Sequence, residues 1–367
     1  MKSIGDFRLG QHMMRYSQFV PRLYNFCLSL GFEAGKIMPS RAFCSDENQG
    51  FPIILIAKHF GAFPFNHGRV GGIVATDRHG PHAHHGEDMV IIQASHVGYD
   101  PESSQFGSYR RLQTHGCEAT ADCGKIAAIT SWFISEYHFA CENILVERKE
   151  GEVLVTIDNQ LLDQGRTEGL MLRLKQLINA DDDPLQVLST SRRFLAAVEF
   201  SERFSHLQEG ETQVIGSSLE CDLFTFKRKV TVEEEGQDHL ECNLLSHMPQ
   251  IVTAHSPALV AAQINSQVEF DRTFRTITRE PAYRGKRLLF ISGIHIDISP
   301  ALGQIFPLTE FVPWAAYYQD SDGSSVTYEQ EALWRLLMEQ SIENPDQIDL
   351  DQAIEQMEEL QEVVVKG

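Results

Sequence analysis

Basic charge is scarce in this chain: 31 Lys and Arg stand against 51 Asp and Glu, a formal net charge of −20. Nucleic acid is bound through clustered cations, so this balance argues against it as the main partner. The excess is uneven, because residues 320–367 hold 13 acidic side chains against only Arg335 and Lys366. Long apolar runs are also missing. None approaches the roughly 20 residues of a membrane span, and charges interrupt residues 1–18 where a signal peptide would have an apolar core. Seven cysteines, with no C-x-x-C pair and no Asn-x-Ser/Thr sequon, are an odd number in a chain too large to need disulfide staples. These absences predict a reducing compartment, cytoplasmic or the stroma of an organelle after loss of a transit peptide. Rossmann, P-loop, H-E-x-x-H and G-x-S-x-G patterns are absent too, so nucleotide binding and the commoner hydrolases lose their usual support.

What is present is an ordinary globular composition, 42% hydrophobic over 367 residues, enough for one large or two modest domains. Apolar residues recur at steps of three and four across residues 7–31, which predicts one or two helices broken or kinked near Pro21, with Cys27 as a buried thiol. Residues 51–57 (FPIILIA) read as a strand and 61–80 as a Gly- and His-rich loop. Residues 89–95 (MVIIQAS) read as a buried, parallel-type strand that stops at His96. Cys123 opens a helix to about residue 143. Beyond it the pattern predicts a strand at 152–158, helices near 168–179 and 184–204, and a hairpin of 220–232 with 240–245 that brings Cys221 near Cys242. A helix follows at 257–264, strands at 287–298 and 311–318, and acidic amphipathic helices at 328–340 and 350–364.

Cys44, His96 and Cys123 each stand at or near the end of an apolar run. Singly, each is ordinary core. Together, two soft thiolates and an imidazole suit Zn²⁺, and three protein ligands leave a fourth position for water. If residues 42–48 are extended, Asp46 projects to the same side as Cys44. A helix start at Cys123 favours its thiolate. The spacings match no zinc finger. A second candidate is the cluster His79, His82, His84 and His85 between Gly80, Pro81 and Gly86, able to bind metal, pass protons at the rim of the first site, or simply be solvated.

Cys44-Ser45-Asp46-Glu47, Phe60-Gly61-Ala62-Phe63, Ala83-His84-His85, Ser95-His96-Val97-Gly98, the later Gly107, Arg111, Gln113 and Cys123-Gly124, and the strand LFISGIHID fall in the order of a known family. Over about residues 40–310 the chain resembles the low-CO2-inducible protein B family, the theta-class carbonic anhydrases, related in fold and site to the beta class. The resemblance implies one α/β domain at 41–318 with a mostly parallel central sheet flanked by helices; the helical segment before it (1–40) and the acidic helical extension after it (319–367) are read from the periodicity and lie outside the resemblance. It implies Cys44, His96 and Cys123 as zinc ligands and Asp46 as the carboxylate beside the metal. The beta-class arginine two residues after that aspartate is Asn48 here, so the partner of Asp46 is expected elsewhere, Arg111 first, then Arg110 and Arg41. His82, His84 and His85 become proton shuttles, and Phe60, Phe63 and Val97 either pocket lining or core. The implied activity is reversible hydration of CO2 to bicarbonate by a homodimer. The alternative is a non-catalytic zinc-stabilised scaffold or bicarbonate sensor in inorganic-carbon metabolism.

Overall fold

The structure, a computed structural model, describes residues 9–10, 12–74, 88–110, 119–121, 123–179, 181, 183–229, 237–301 and 303–358. They form two compact units, Met1–Cys123 with Asn265–Gly367, and Gly124–Ile264. The first carries the sheet expected from the apolar runs. Its strands are β1 (Met14–Arg15), β2 (Ile37–Ala42), β3 (Phe65–Asn66), β4 (Asp88–Asp100), β5 (Leu288–Ile298), β6 (Leu308–Gln319) and β7 (Ser325–Glu329), with the two-residue strand Gln105–Phe106 folded back on the end of β4 as the eighth. The order is β1-β6-β5-β4-β2-β3, with β7 also on β6. β5, β4, β2 and β3 run parallel, and the β6 edge is antiparallel. Both central strands are apolar on both faces, as a sheet covered on two sides requires.

Side chains alternate across each strand, and the two cores follow from that. Val90, Ile92 and Ala94 on β4, with Leu289 and Ile291 on β5, pack against Tyr16, Phe19, Val20 and Leu23 of helix α1 (Tyr16–Ser29) and Ile56 of helix α2 (Gly50–Phe60). Met89, Ile91, Leu288 and Phe290 face the other way, onto Phe270 and Ile277 of helix α3 (Pro257–Arg279). The acidic end of the chain forms helices α4 (Gln330–Met338) and α5 (Leu350–Glu358). Leu333 and Leu337 of α4 join the first core, and Arg22 of α1 donates to the carbonyls of Leu337, Met338 and Gln340 at its end. No helix among the described residues is long and apolar enough to cross a membrane.

Several local expectations change. Helix α1 continues unbroken through Pro21, because the proline removes one interior hydrogen bond while seven other α1 side chains are buried. Residues 51–57 form the helix α2 instead of a strand. Pro52 fits its first turn, Ile56, Ala57 and Phe60 turn inward, and Gly61 closes it in the left-handed conformation at φ 70° with its N–H on Ala57. In the second unit, helix Gly124–Glu142 is as expected, with strands Ile144–Lys149 and Glu152–Asp158 after it in a five-stranded antiparallel sheet. The helices expected at 168–179 and 184–204 are each a strand followed by a short helix: Gly169–Leu172 pairs with Phe224–Lys227 and precedes Leu174–Leu177, and Ser191–Leu195 pairs with Glu152–Asp158 and precedes Val198–Glu202. Residues 240–245 belong to helix Gln237–Leu245, which buries Leu240 and Leu244 four apart and leaves Cys242 exposed, so no hairpin joins it to Cys221.

Candidate metal centre

β2 ends at Ala42, and the chain turns through Phe43 and Cys44 into the short helical turn Glu47–Gln49 that leads into α2. Phe43 is buried edge-on to the ring of His295, which anchors that turn. His96 lies inside β4 instead of at its end, because β5 pairs with β4 residue by residue as far as Ile298 opposite Tyr99. Cys123 is the residue before helix Gly124–Glu142. The ligand-capable atoms of Cys44, His96 and Cys123 lie within 4.8 Å of one another. The three residues are only 6%, 1% and 3% exposed, so a cation there would exchange water for protein donors.

The same alternation that builds the core puts His96 and Asp297 on one face of neighbouring strands. His96 Nδ1 donates to Asp297 Oδ2 at 3.0 Å, with both side chains fully buried. An ionised carboxylate only accepts, so Nδ1 carries the proton and Nε2 is left as the ligand atom. Nε2 is buried and has no hydrogen-bond partner among the described residues. A buried orphan nitrogen beside two sulfurs is the arrangement a thiophilic divalent ion completes, so the donor set fits zinc.

Without an ion the trio shares its protons. The Cys123 thiol beside it holds Cys44 well below the usual thiol range, against the effect of burial and with help from His96 and the Gly71 N–H, which donates to Cys44 Sγ at 3.2 Å. Cys123 is pushed up by its Cys44 neighbour and by burial. Burial alone would lower His96, but Asp297 and the two cysteines raise it well above the usual imidazole value. At neutral pH the two cysteines therefore hold one thiolate and one thiol. Binding a divalent ion at pH 7 should release at least one proton, from Cys123, and affinity should fall at least about tenfold per pH unit of acidification. Calorimetry in buffers of different ionisation enthalpy measures this, and release of fewer than one proton would contradict it.

Around this trio, two chains of donors converge on Asp297. Burial keeps His295 neutral, lowered to about 3, with the charge of His96 adding to the effect. Tyr16 OH then donates to His295 Nε2 at 2.7 Å, His295 Nδ1 to Gln49 Oε1, and Gln49 Nε2 to Asp297 Oδ2 at 3.2 Å. In the other chain Asn48 Nδ2 donates to Thr309 Oγ1 at 3.2 Å, and Thr309 to Asp297 Oδ1 at 2.8 Å. Burial would raise Asp297, yet His96, His295 and Thr309 hold it below the usual carboxylate range. Reading the sequence for ligands missed all of these residues. The signal was there: in LFISGIHIDI, His295 and Asp297 break the apolar pattern on alternate positions, hence on one face.

Asp46 is half-buried next to this turn, and its Oδ1 accepts from Asn48 N at 3.2 Å and Tyr109 OH at 3.3 Å. Arg110, one expected partner, is engaged with Glu102 at 3.0 Å and Asp100 at 3.7 Å. Arg111 and His79, His82, His84 and His85 lie outside the described residues. Phe60 packs edge-on to Tyr24 in the core, Val97 is buried on the sheet face opposite His96, and Phe63 is 70% exposed, so none of the three is drawn to the trio.

No protein-family model and no curated protein matches the chain. Solved structures do. PtLCIB4, a homolog of the limiting CO2-inducible protein LCIB, aligns over 87% of this chain and 95% of its own at 13% identity with a TM-score of 0.51. A point mutant of PtLCIB4 aligns over 86% and 92% at 12% identity with a TM-score of 0.50. LCIB itself aligns over 87% and 95% at 14% identity with a TM-score of 0.45. The match to PtLCIB4 covers nearly the whole length of both chains, and this chain has an LCIB-like fold.

Proposed function

We propose that this protein is a zinc-dependent carbonic anhydrase that interconverts CO2 and bicarbonate, with Cys44, His96 and Cys123 as the metal ligands. The observation that carries the reading is the buried Cys–His–Cys group with an orphaned imidazole nitrogen, set in an LCIB-type fold. When bound, zinc supplies the Lewis acid that makes a water nucleophilic near neutral pH, the chemistry known from three-histidine carbonic anhydrases. The protein's own groups do the rest. His96, with its ring direction fixed by Asp297, and the two sulfurs would hold the metal through three donors. Asp46, two residues after Cys44, would be the carboxylate that orients the attacking oxygen, while Tyr109 and the Asn48 amide hold its carboxylate in place. Arg111 is the proposed cationic partner of Asp46. His84 and His85 carry the released proton to solvent, a task suited to groups that titrate near neutrality. A homodimer in a reducing compartment is the proposed working form.

Two thiolates bring the charge around a divalent ion to zero, and the Asp297 carboxylate lies just beyond. Both make a bound water less acidic than in a three-histidine site. The expected result is one zinc per chain, CO2 hydration lost on chelation and restored by zinc, and a stopped-flow rate that climbs between pH 7 and 9. A flat rate over that range would count against the ligand set. Full zinc occupancy with no hydration at any pH would favour the scaffold or sensor reading.

A further inference from the structure

Resting on the reading of Cys44, His96 and Cys123 as a metal site, we infer that Asp297 is a positioning residue that sets how tightly the site holds its ion. It does so by tying the ring of His96 and the turn that carries Cys44 to one buried carboxylate. Three donors reach it from three elements: His96 from β4, Thr309 from β6, and Gln49 from the turn that follows Cys44. Each of the last two is aimed by a further donor. Tyr16 and His295 stand behind Gln49, and Asn48 stands behind Thr309. Every arrow points toward Asp297 and none leaves it. Only an acceptor closes such a network without setting donor against donor.

The arrangement is expensive as mere architecture. A fully buried ion-paired carboxylate between apolar strands contributes less stability than an apolar side chain of similar volume would. Its use lies in the metal ligands. The hydrogen bond to Nδ1 stops the imidazole from rotating or exchanging tautomers and makes Nε2 the better donor. Asn48 and Gln49, four and five residues after Cys44, bring the Cys44 turn into the same lock. Two of the three ligands, from segments far apart in the chain, are thus preorganised by one group.

The shape of the network chooses the test. In Asp297→Asn the amide oxygen can occupy the Oδ2 position and keep both His96 and Gln49, while its nitrogen meets Thr309, whose hydroxyl can rotate to accept. The variant keeps the outline and removes the charge. Zinc affinity is measured by chelator competition at one pH on the wild type, Asp297→Asn, Thr309→Val and Tyr318→Phe. Tyr318 is on β6 with Thr309, is buried, and donates to the Leu30 carbonyl at 2.9 Å, so its variant reports plain destabilisation. Asp297→Asn should bind zinc roughly 10–100-fold more weakly, Thr309→Val several-fold more weakly, and Tyr318→Phe as the wild type does. In the zinc-loaded protein the His96 Nδ1–H proton resonance should lie far downfield in the wild type and move upfield in Asp297→Asn. Wild-type affinity in Asp297→Asn, or an equal loss in Tyr318→Phe, would overturn the inference. If Asp297→Asn does not fold, wild-type affinity in Thr309→Val overturns it. A wild type that takes up no zinc overturns the underlying metal reading instead, and shows it before any variant is made.

Discussion

Cys123→Ser should bind zinc at least about a hundredfold more weakly than the wild type and hydrate CO2 at no more than the buffer rate. Zinc in a protein site of four ligands is worth about 10–16 kcal/mol, or roughly 3 kcal/mol per ligand. Each 1.4 kcal/mol is a factor of ten in affinity. Serine replaces a polarisable sulfur with a harder oxygen that stays protonated, so it restores neither the charge nor the softness. The substitution is small and keeps the fold, because the serine hydroxyl can still donate to the Cys44 sulfur in the metal-free state and no buried polar group is left unpaired. Equal zinc content by metal analysis together with an equal stopped-flow rate would remove Cys123 from the site, and with it the Cys–His–Cys assignment.

That trio could be found in the sequence because its neighbours are regular. The run 89–95 is strand-like at every position, and helix Gly124–Glu142 announces itself by its period, so the residues at their ends stand out. What remained hidden is what long-range pairing decides. Nothing local says that β4 continues through His96 to Asp100; it does so because β5 offers a partner for each residue there. Nothing local separates a strand from a helix in FPIILIA either. The packing of Ile56 and Phe60 against the first core settles it, and propensity yields to burial. The same competition explains the second unit, where the short strand Ser191–Leu195 takes its identity from the strand beside it. Asp297 is the instructive omission. A search for ligands looks for sulfur and imidazole, while the residue that orients the imidazole is a carboxylate 201 positions away from His96. The displacement of the expected arginine by Asn48 also makes sense only in three dimensions, since Asn48 reaches Thr309 and so belongs to the network around Asp297.

Backbone geometry sets a second limit on the site, at Gly71-Gly72. Both residues are left-handed, at φ 73° and 78°, which places the Gly71 N–H on Cys44 Sγ and lays the turn directly on β4. The turn is pinned by Asn265 donating to the Gly71 carbonyl at 2.8 Å and Gln93 to the Gly72 carbonyl at 3.2 Å. A Cβ added at Gly72 would sit 2.2 Å from the Ala94 carbonyl oxygen and 2.8 Å from its carbon. β4 is paired on both sides and cannot withdraw, so the turn must lift. Gly72→Ala therefore carries the left-handed cost of about 1–2 kcal/mol and an overpacking cost of about 1–3 kcal/mol, which together lower Tm by roughly 5–15 °C. Lifting the turn also takes the Gly71 N–H away from Cys44, so zinc affinity should fall in the same variant. Gly61→Ala is the internal comparison: its φ is 70°, yet nothing lies within 4 Å of the added carbon, so it meets only the conformational cost and leaves the metal site alone. Thermal melts and zinc titrations of the two variants separate strain from contact. Equal melting shifts with unchanged zinc affinity in both would show that the close approach of Gly72 to β4 holds nothing in place.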